Sequence, residues 1–233
     1  MVRYWVYRKL EQEGCKMKIH YEIEQGSEIW HRERYGKISG TNSKGLFVDS
    51  DTLLNNLIAC KLEAFKLEPP GYENDAMIRG NELEPFARME LSRKIGIKLV
   101  QAGWIQSLGI PIIGISPDGI SECETIMCEF KCPSKEVHTA TLLSNEIPLK
   151  NIHQCLHYFT VNKKLKELHF GSFRPESKIR LFHKIVTLDS LINMGTEKKP
   201  VLFPISELVR KARGEAQRIE IKVDQIIKEL IKP

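Results

Sequence analysis

The chain has 233 residues, a formal net charge of +5 and 42% hydrophobic residues. That is enough apolar material for one large cored domain, and the mild basic excess permits a nucleic-acid partner without requiring one. No apolar run approaches the roughly 18 residues of a membrane span.

Residues 1–17 read as an N-terminal extension, with a short helix expected in it, and 18–233 as a single domain. The segment Val2-Arg3-Tyr4-Trp5-Val6-Tyr7-Arg8 is too broken by charge for a signal peptide. With six irregularly spaced cysteines, read as reduced thiols, this points to the cytoplasm.

Ser27 before Glu28 is an N-cap and Gly36 a stop, which predicts a helix over about 28–35. Leu54, Leu57, Ile58 and Leu62 recur at helical spacing over 51–66, before Pro69-Pro70-Gly71 breaks the run. A third helix is expected over 81–95, starting at Gly80-Asn81 and ending at Gly96, with Leu83, Phe86, Ala87, Leu91 and Ile95 as its buried stripe.

Extended segments follow at 99–107, 112–116 and 125–131. The last two flank Pro117-Asp118-Gly119 and read as an antiparallel pair. A helix over 151–162 should bury Ile152, Cys155, Leu156 and Phe159, with Gln154 and His157 or Tyr158 on its other side. Strands are expected at 166–173 and 179–187, and a final helix from a Ser206 cap to about 231. The order predicts an α/β fold, a central mixed sheet with helices on its faces.

The chemistry concentrates in Ser116-Pro117-Asp118-Gly119 and Glu129-Phe130-Lys131. Residues i and i+2 of a strand share a face, so Glu129 and Lys131 project together. Two carboxylates suit a hard divalent ion, Mg²⁺ or Mn²⁺, and a neighbouring ammonium can act on the attacking water. The plainer reading makes Pro117-Asp118-Gly119 a simple turn, and Glu129 and Lys131 the solvent face of a strand whose Cys128, Phe130 and Cys132 point inward. Glu84 borders the apolar stripe of its helix and can reach a metal held by Asp118 and Glu129; Glu82 is its competitor. Gln154 would hydrogen-bond a water or phosphate near the ion. Trp30 is read as core.

These pieces together resemble the phage-type alkaline exonucleases, the lambda exonuclease or YqaJ-like recombinase family of the PD-(D/E)XK nuclease superfamily. The matching stretches are Gln25-Gly26-Ser27, Trp30, Arg34, Gly36, Ile38-Ser39-Gly40-Thr41, Gly80 with Glu84-Pro85, Ser116-Pro117-Asp118-Gly119, Glu129-Phe130-Lys131-Cys132-Pro133 and Gln154. They occur in the family's order over roughly residues 20–190.

The resemblance implies a restriction-endonuclease-like core, with 18–233 as one PD-(D/E)XK exonuclease domain. It implies a Mg²⁺-dependent 5′→3′ exonuclease on double-stranded DNA that leaves 3′ single-stranded tails for recombination. Asp118 and Glu129 would ligate one or two Mg²⁺ or Mn²⁺ ions with Glu84 assisting, Lys131 would activate water, and Gln154 would support the site. Arg34, Thr41 and Ser116 match positions that hold the terminal 5′-phosphate, with Arg32 competing for the arginine role. Thr41 stands where the family carries serine. A ring-shaped homotrimer around DNA and a single-strand annealing partner are also implied, with action in the host cytoplasm, or nucleus if viral. A carboxylate next to both a metal and Lys131 would have a lowered pKa, and the lysine's would fall as well if it is desolvated, which predicts better activity at alkaline pH.

Some relatives in the superfamily carry an iron–sulfur cluster, so Cys123, Cys128 and Cys132, with Cys155 as a fourth, are weighed as metal ligands against a role as small buried residues. Two other functions stay open: an endonuclease of the same superfamily, restriction or junction-resolving, and a DNA-end-binding protein without activity.

Overall fold

A computed structural model describes residues 17–48, 50–67, 75–196 and 199–232. The helix expected in the N-terminal extension lies outside the described residues. Strand β1 (Met17–His20) pairs antiparallel with β3 (Trp104–Ser107), and β3 with β4 (Gly114–Ile115), in a three-stranded sheet. A five-stranded sheet has the order β2 (Leu99–Val100), β5 (Gly119–Ser121), β6 (Ile126–Lys131), β7 (Glu167–Phe173), β8 (Leu181–Val186). Within this sheet, among the described residues, only β6 and β7 run parallel. They are joined through helices α4 (Lys135–Ser144) and α5 (Leu149–Val161), as a parallel connection demands. A hairpin of β9 (Leu191–Asn193) and β10 (Leu202–Pro204) leads into α6 (Ile205–Leu230). Helices α1 (Glu28–Arg34), α2 (Asp51–Leu62) and α3 (Asp75–Ile95) precede the sheet. This is the predicted mixed sheet flanked by helices.

Two apolar clusters lie on the faces of the five-stranded sheet. The larger joins Met127, Leu168 and Phe170 to Ile152, Cys155, Leu156 and Phe159 of α5 and to Leu208, Ala212 and Val223 of α6. The smaller joins Cys128, Phe130, Cys132 and Phe173 to Ala87 and Leu91 of α3. Strand β6 is therefore covered on both sides, and its alternation sorts residues between two cores rather than between core and water. That overturns the reading of Glu129 as a solvent-facing residue: it is 1% exposed.

Several boundaries differ from expectation. Helix α3 begins at Asp75 and runs through Gly80 and Pro85, because packing of Ala87 and Leu91 on the sheet outweighs the local cost of both residues. Phe86, expected in its buried stripe, is exposed. The stretch 99–107 is two strands in different sheets, not one. The antiparallel partner of β6 is β5, not the 112–116 segment, whose strand β4 belongs to the other sheet. The chain changes sheets at Ser116–Asp118, where proline interrupts the ladder. Helix α4 was not expected, although Ser134 caps it by accepting a hydrogen bond from Val137 N, and Asn145 ends it in a left-handed conformation. Helix α6 starts at Ile205, so Ser206 lies inside it rather than capping it. Among the described residues, no helix is long and apolar enough to cross a membrane.

Candidate active site

The register of β5 on β6 builds the acidic centre. Gly119 lies opposite Cys128, so one step earlier Asp118 comes abreast of Glu129. Asp118 Oδ2 accepts a hydrogen bond from Phe130 N at 2.6 Å. The approach is close because residue 119 has no side chain: a Cβ there would sit 2.5 Å from Cys128 Sγ. On the α3 side, the Arg88 guanidinium donates to the Asp118 carbonyl.

Glu129 faces α5. Its Oε2 accepts from the Tyr158 hydroxyl at 2.5 Å, and its Oε1 is ion-paired with Lys131 Nζ. Lys131 is half-buried on the same side of β6. Glu84 is partly buried, whereas Glu82, its competitor, is exposed.

Electrostatics tie these groups together. Burial pushes the Glu84 carboxyl up to about 7, helped by the Glu129 charge and opposed by Lys131 and Arg88. Burial also holds Asp118 well above the ordinary carboxylate range, with Glu129 and Glu84 adding to the effect and Lys131 and the Phe130 N–H opposing it. For Lys131, burial alone would lower the pKa. The Glu129 and Asp118 carboxylates outweigh it, so the ammonium sits above its ordinary range. Desolvation, the cause expected to lower it, is present but outweighed by these two carboxylates. Lys131 stands as a charged donor.

Among the described residues, no three His, Cys, Asp or Glu side chains are grouped so as to hold a metal ion by themselves. The donor chemistry nonetheless fits Mg²⁺ or Mn²⁺, since such ions keep several waters and are commonly held by one or two carboxylates together with substrate phosphate. Asp118 and Glu129, mutually repelling and buried, are the two carboxylates that could serve in this way, with Glu84 near enough to feel Glu129.

The cysteines separate. Cys128 and Cys132 lie in the α3 cluster, Cys155 lies in the α5 cluster on the opposite side of β6, and Cys123 is exposed in a turn. They are small packing residues apart from Cys123, and the four are not brought together.

A second cluster adjoins the acids. Ser116 precedes Asp118 by two residues and accepts a hydrogen bond from Trp30 Nε1 at 2.9 Å. Arg34 Nη2 donates to Ser39 Oγ at 3.2 Å and reaches Thr41 Oγ1 at 3.5 Å, while the two hydroxyls are 3.0 Å apart. Burial pulls the Arg34 guanidinium down to about 10, and no carboxylate pairs with it among the described residues. Arg32 turns elsewhere: it is exposed, ion-paired with Glu28 at 2.8 Å and placed over the Phe65 ring. The structure thus brings Arg34 to Thr41, links Ser116 to Arg34 through the Trp30 ring, and leaves Arg32 outside.

Helix α5 spans both clusters. Gln154 and Tyr158 are four residues apart on it and so lie on one face. Tyr158 reaches Glu129, while Gln154 packs on Gly40, where a Cβ would meet Gln154 Cγ at 3.0 Å. His157 and Tyr158 are fully buried rather than on an outer side, because α5 is enclosed by the sheet, α6 and the 38–46 segment. Sequence reasoning missed Tyr158, Arg88 and Ser39 as site residues. A four-residue spacing from Gln154 was the available signal for Tyr158.

No curated protein matches the sequence. Among solved structures, the alkaline exonuclease LHK-Exo from Laribacter hongkongensis, solved alone and in complex with dAMP, overlays with a TM-score of 0.70 at 22% identity, covering 88% of this chain and 96% of that one. A phage-related exonuclease from Haemophilus somnus 129PT overlays more loosely, with a TM-score of 0.46, 13% identity and coverage of 83% and 96%. The fold is therefore that of the alkaline exonuclease, restriction-endonuclease-like. The YqaJ-like viral recombinase domain matches residues 29–164, more than half of the sequence, and the chain belongs to that family.

Proposed function

We propose that this protein is a divalent-metal-dependent exonuclease that degrades the 5′-phosphorylated strand of double-stranded DNA and leaves a 3′ single-stranded tail. The observation that carries the reading is the adjacency of the two clusters: Ser116 and Asp118 are two residues apart, and on one helix Gln154 packs at Gly40, beside Ser39 and Thr41, while Tyr158 reaches Glu129 on β6. One cluster offers carboxylates and an ammonium, the other a guanidinium and hydroxyls. A terminal phosphate held at the second would set a scissile bond near the first.

In this scheme Asp118 and Glu129 hold one or two Mg²⁺ or Mn²⁺ ions, with Glu84 assisting. The bound ion supplies Lewis-acid stabilisation of phosphoryl charge and an acidified water. Tyr158 donates to one Glu129 oxygen and Lys131 pairs with the other, so the two would orient the carboxylate that holds the ion. Lys131 donates to the attacking water or to a phosphoryl oxygen. Arg34, Thr41 and Ser116 grip the terminal phosphate by charge-assisted hydrogen bonds, and Gln154 orients groups between the two clusters. Residues 18–233 act as one domain. A ring-shaped homotrimer threaded by duplex, a single-strand annealing partner and action in the host cytoplasm belong to the same proposal and rest on the family likeness.

Linear duplexes with 5′-phosphate or 5′-hydroxyl ends, in Mg²⁺ or EDTA, test it. Phosphorylated strands should shorten from the 5′ end at least about tenfold more efficiently, the worth of a lost charged hydrogen bond, and EDTA should stop the reaction. Cleavage of a covalently closed duplex would replace this reading with an endonuclease. Tight end binding without any cleavage in Mg²⁺ or Mn²⁺ would replace it with an inactive end-binding protein.

A further inference from the structure

Trp30 is not in the core. It is half-buried on α1, four residues before Arg34 and on the same helix face. The Arg34 guanidinium lies 3.8 Å from the centroid of its ring. Its indole Nε1–H is shared between Gly103 O at 3.0 Å and Ser116 Oγ at 2.9 Å.

The donor direction matters. An indole nitrogen only donates, so the Ser116 oxygen must accept from it. The Ser116 proton is thereby turned away from Trp30 and left to donate to something else. A similar count holds across the cluster. Arg34 donates to Ser39, the Ser39 and Thr41 hydroxyls satisfy each other once, and one hydroxyl proton is left over. Gln25 braces the same region, donating to Ala102 O at 2.9 Å and Pro117 O at 3.2 Å on either side of the Trp30 bonds. What remains is a set of unspent donors around a guanidinium, an arrangement suited to an anion with several acceptor oxygens.

We infer that Trp30 is the positioning residue that makes this cluster selective for a terminal phosphate monoester: its ring sets the plane of Arg34, and its N–H sets the direction of the Ser116 hydroxyl. The inference rests on the 5′-phosphate reading above and deepens it. Trp30 touches neither the reacting atoms nor the metal-binding carboxylates. Its effect should fall on how tightly a phosphorylated end is held, and hence on KM for that end rather than on kcat.

Trp30→Phe keeps a ring under Arg34 and removes the N–H, whereas Trp30→Leu removes both. Steady-state cleavage of 5′-phosphate and 5′-hydroxyl duplexes by wild type and both variants, with thermal unfolding run alongside, tests the inference. For phosphorylated ends, Trp30→Phe should raise KM about threefold, the scale of one neutral hydrogen bond, and Trp30→Leu about tenfold or more once the ring contact is also gone. The preference for phosphate should shrink in step. Equal losses on both kinds of end, or an unchanged preference in Trp30→Phe with a wild-type melt, would overturn the inference while leaving the phosphate reading intact. A wild-type enzyme that does not distinguish the two ends would remove the phosphate reading itself, and this inference with it.

Discussion

Lys131→Ala should cut DNA cleavage by about 10²–10⁴-fold, the range for losing a positioned acid–base or charge-stabilising group. Lys131 shares one side of β6 with Glu129, ion-pairs with it and feels the Asp118 charge. No other cation is ion-paired with Glu129 among the described residues. The ammonium is therefore the one positive group that the strand places directly beside both proposed metal ligands. Binding to DNA ends should survive, because Arg34, Thr41 and Ser116, proposed to grip the phosphate, sit on other segments. The substitution also strips a buried carboxylate of its cation, so part of its effect will be on stability. Tyr158 still donates to Glu129 and limits that cost. Single-turnover cleavage, end binding in Ca²⁺ or EDTA and a thermal melt separate the effects. Wild-type turnover in the variant would take Lys131 out of the mechanism.

Acid should destabilise the fold through His157. This side chain is fully buried on α5, and its Nε2 meets Gly114 O at 3.0 Å and Ile38 O at 3.2 Å. It therefore ties α5 to the strand before Ser116 and to the residue before Ser39. Burial drags its pKa down to about 4, and the two carbonyls offset only part of that effect. The unfolded chain takes up a proton near the ordinary histidine value of about 6.5 that the folded chain refuses. The contribution is thus fully present above about pH 6.5 and is lost as the pH falls toward about 4. The full swing is on the order of 3 kcal/mol. His183, lowered to about 4 by burial, by His169 and by Lys94, acts in the same direction and window, discounted for its partial exposure.

Urea unfolding at pH 8, 6 and 5 gives the slope. His157→Gln should lose about 1–3 kcal/mol at pH 8, because a flexible amide replaces the ring-fixed Nε2–H that the two carbonyls share. It should also flatten the acid limb. An acid limb as steep in His157→Gln as in wild type would show that His157 is not the group responsible.

The acidic centre was legible before any coordinates because its parts lie close in sequence and obey the two-residue period of a strand. Glu129 and Lys131 had to share a face, and Pro117-Asp118-Gly119 had to turn the chain nearby. The helix carrying Gln154 and, apart from Phe86, the apolar face of α3 were legible for the same reason, from a local period. Strand β5 was not, since Gly119–Ser121 is too short to show any period and its pairing is decided by β6. The start of α3 was also missed, because Gly80 and Pro85 signal a boundary locally and only packing on Cys128, Phe130 and Phe173 overrides them.

The choice between Arg34 and Arg32 depended on which way α1 is turned against the 103–116 segment. That rotation gives Trp30 to Ser116 and Arg34 to the Ser39–Thr41 loop, and leaves Arg32 to Glu28. Tyr158 was hidden because a stripe on one helix cannot reveal that the helix is covered all round. Sequence alone determined the kinds of groups present and the short-range facing of each, since backbone periodicity is a local property. Which of those groups meet across α1, α3, α5 and the sheet was decided by tertiary packing, where contacts between residues far apart in the chain outweigh local preference.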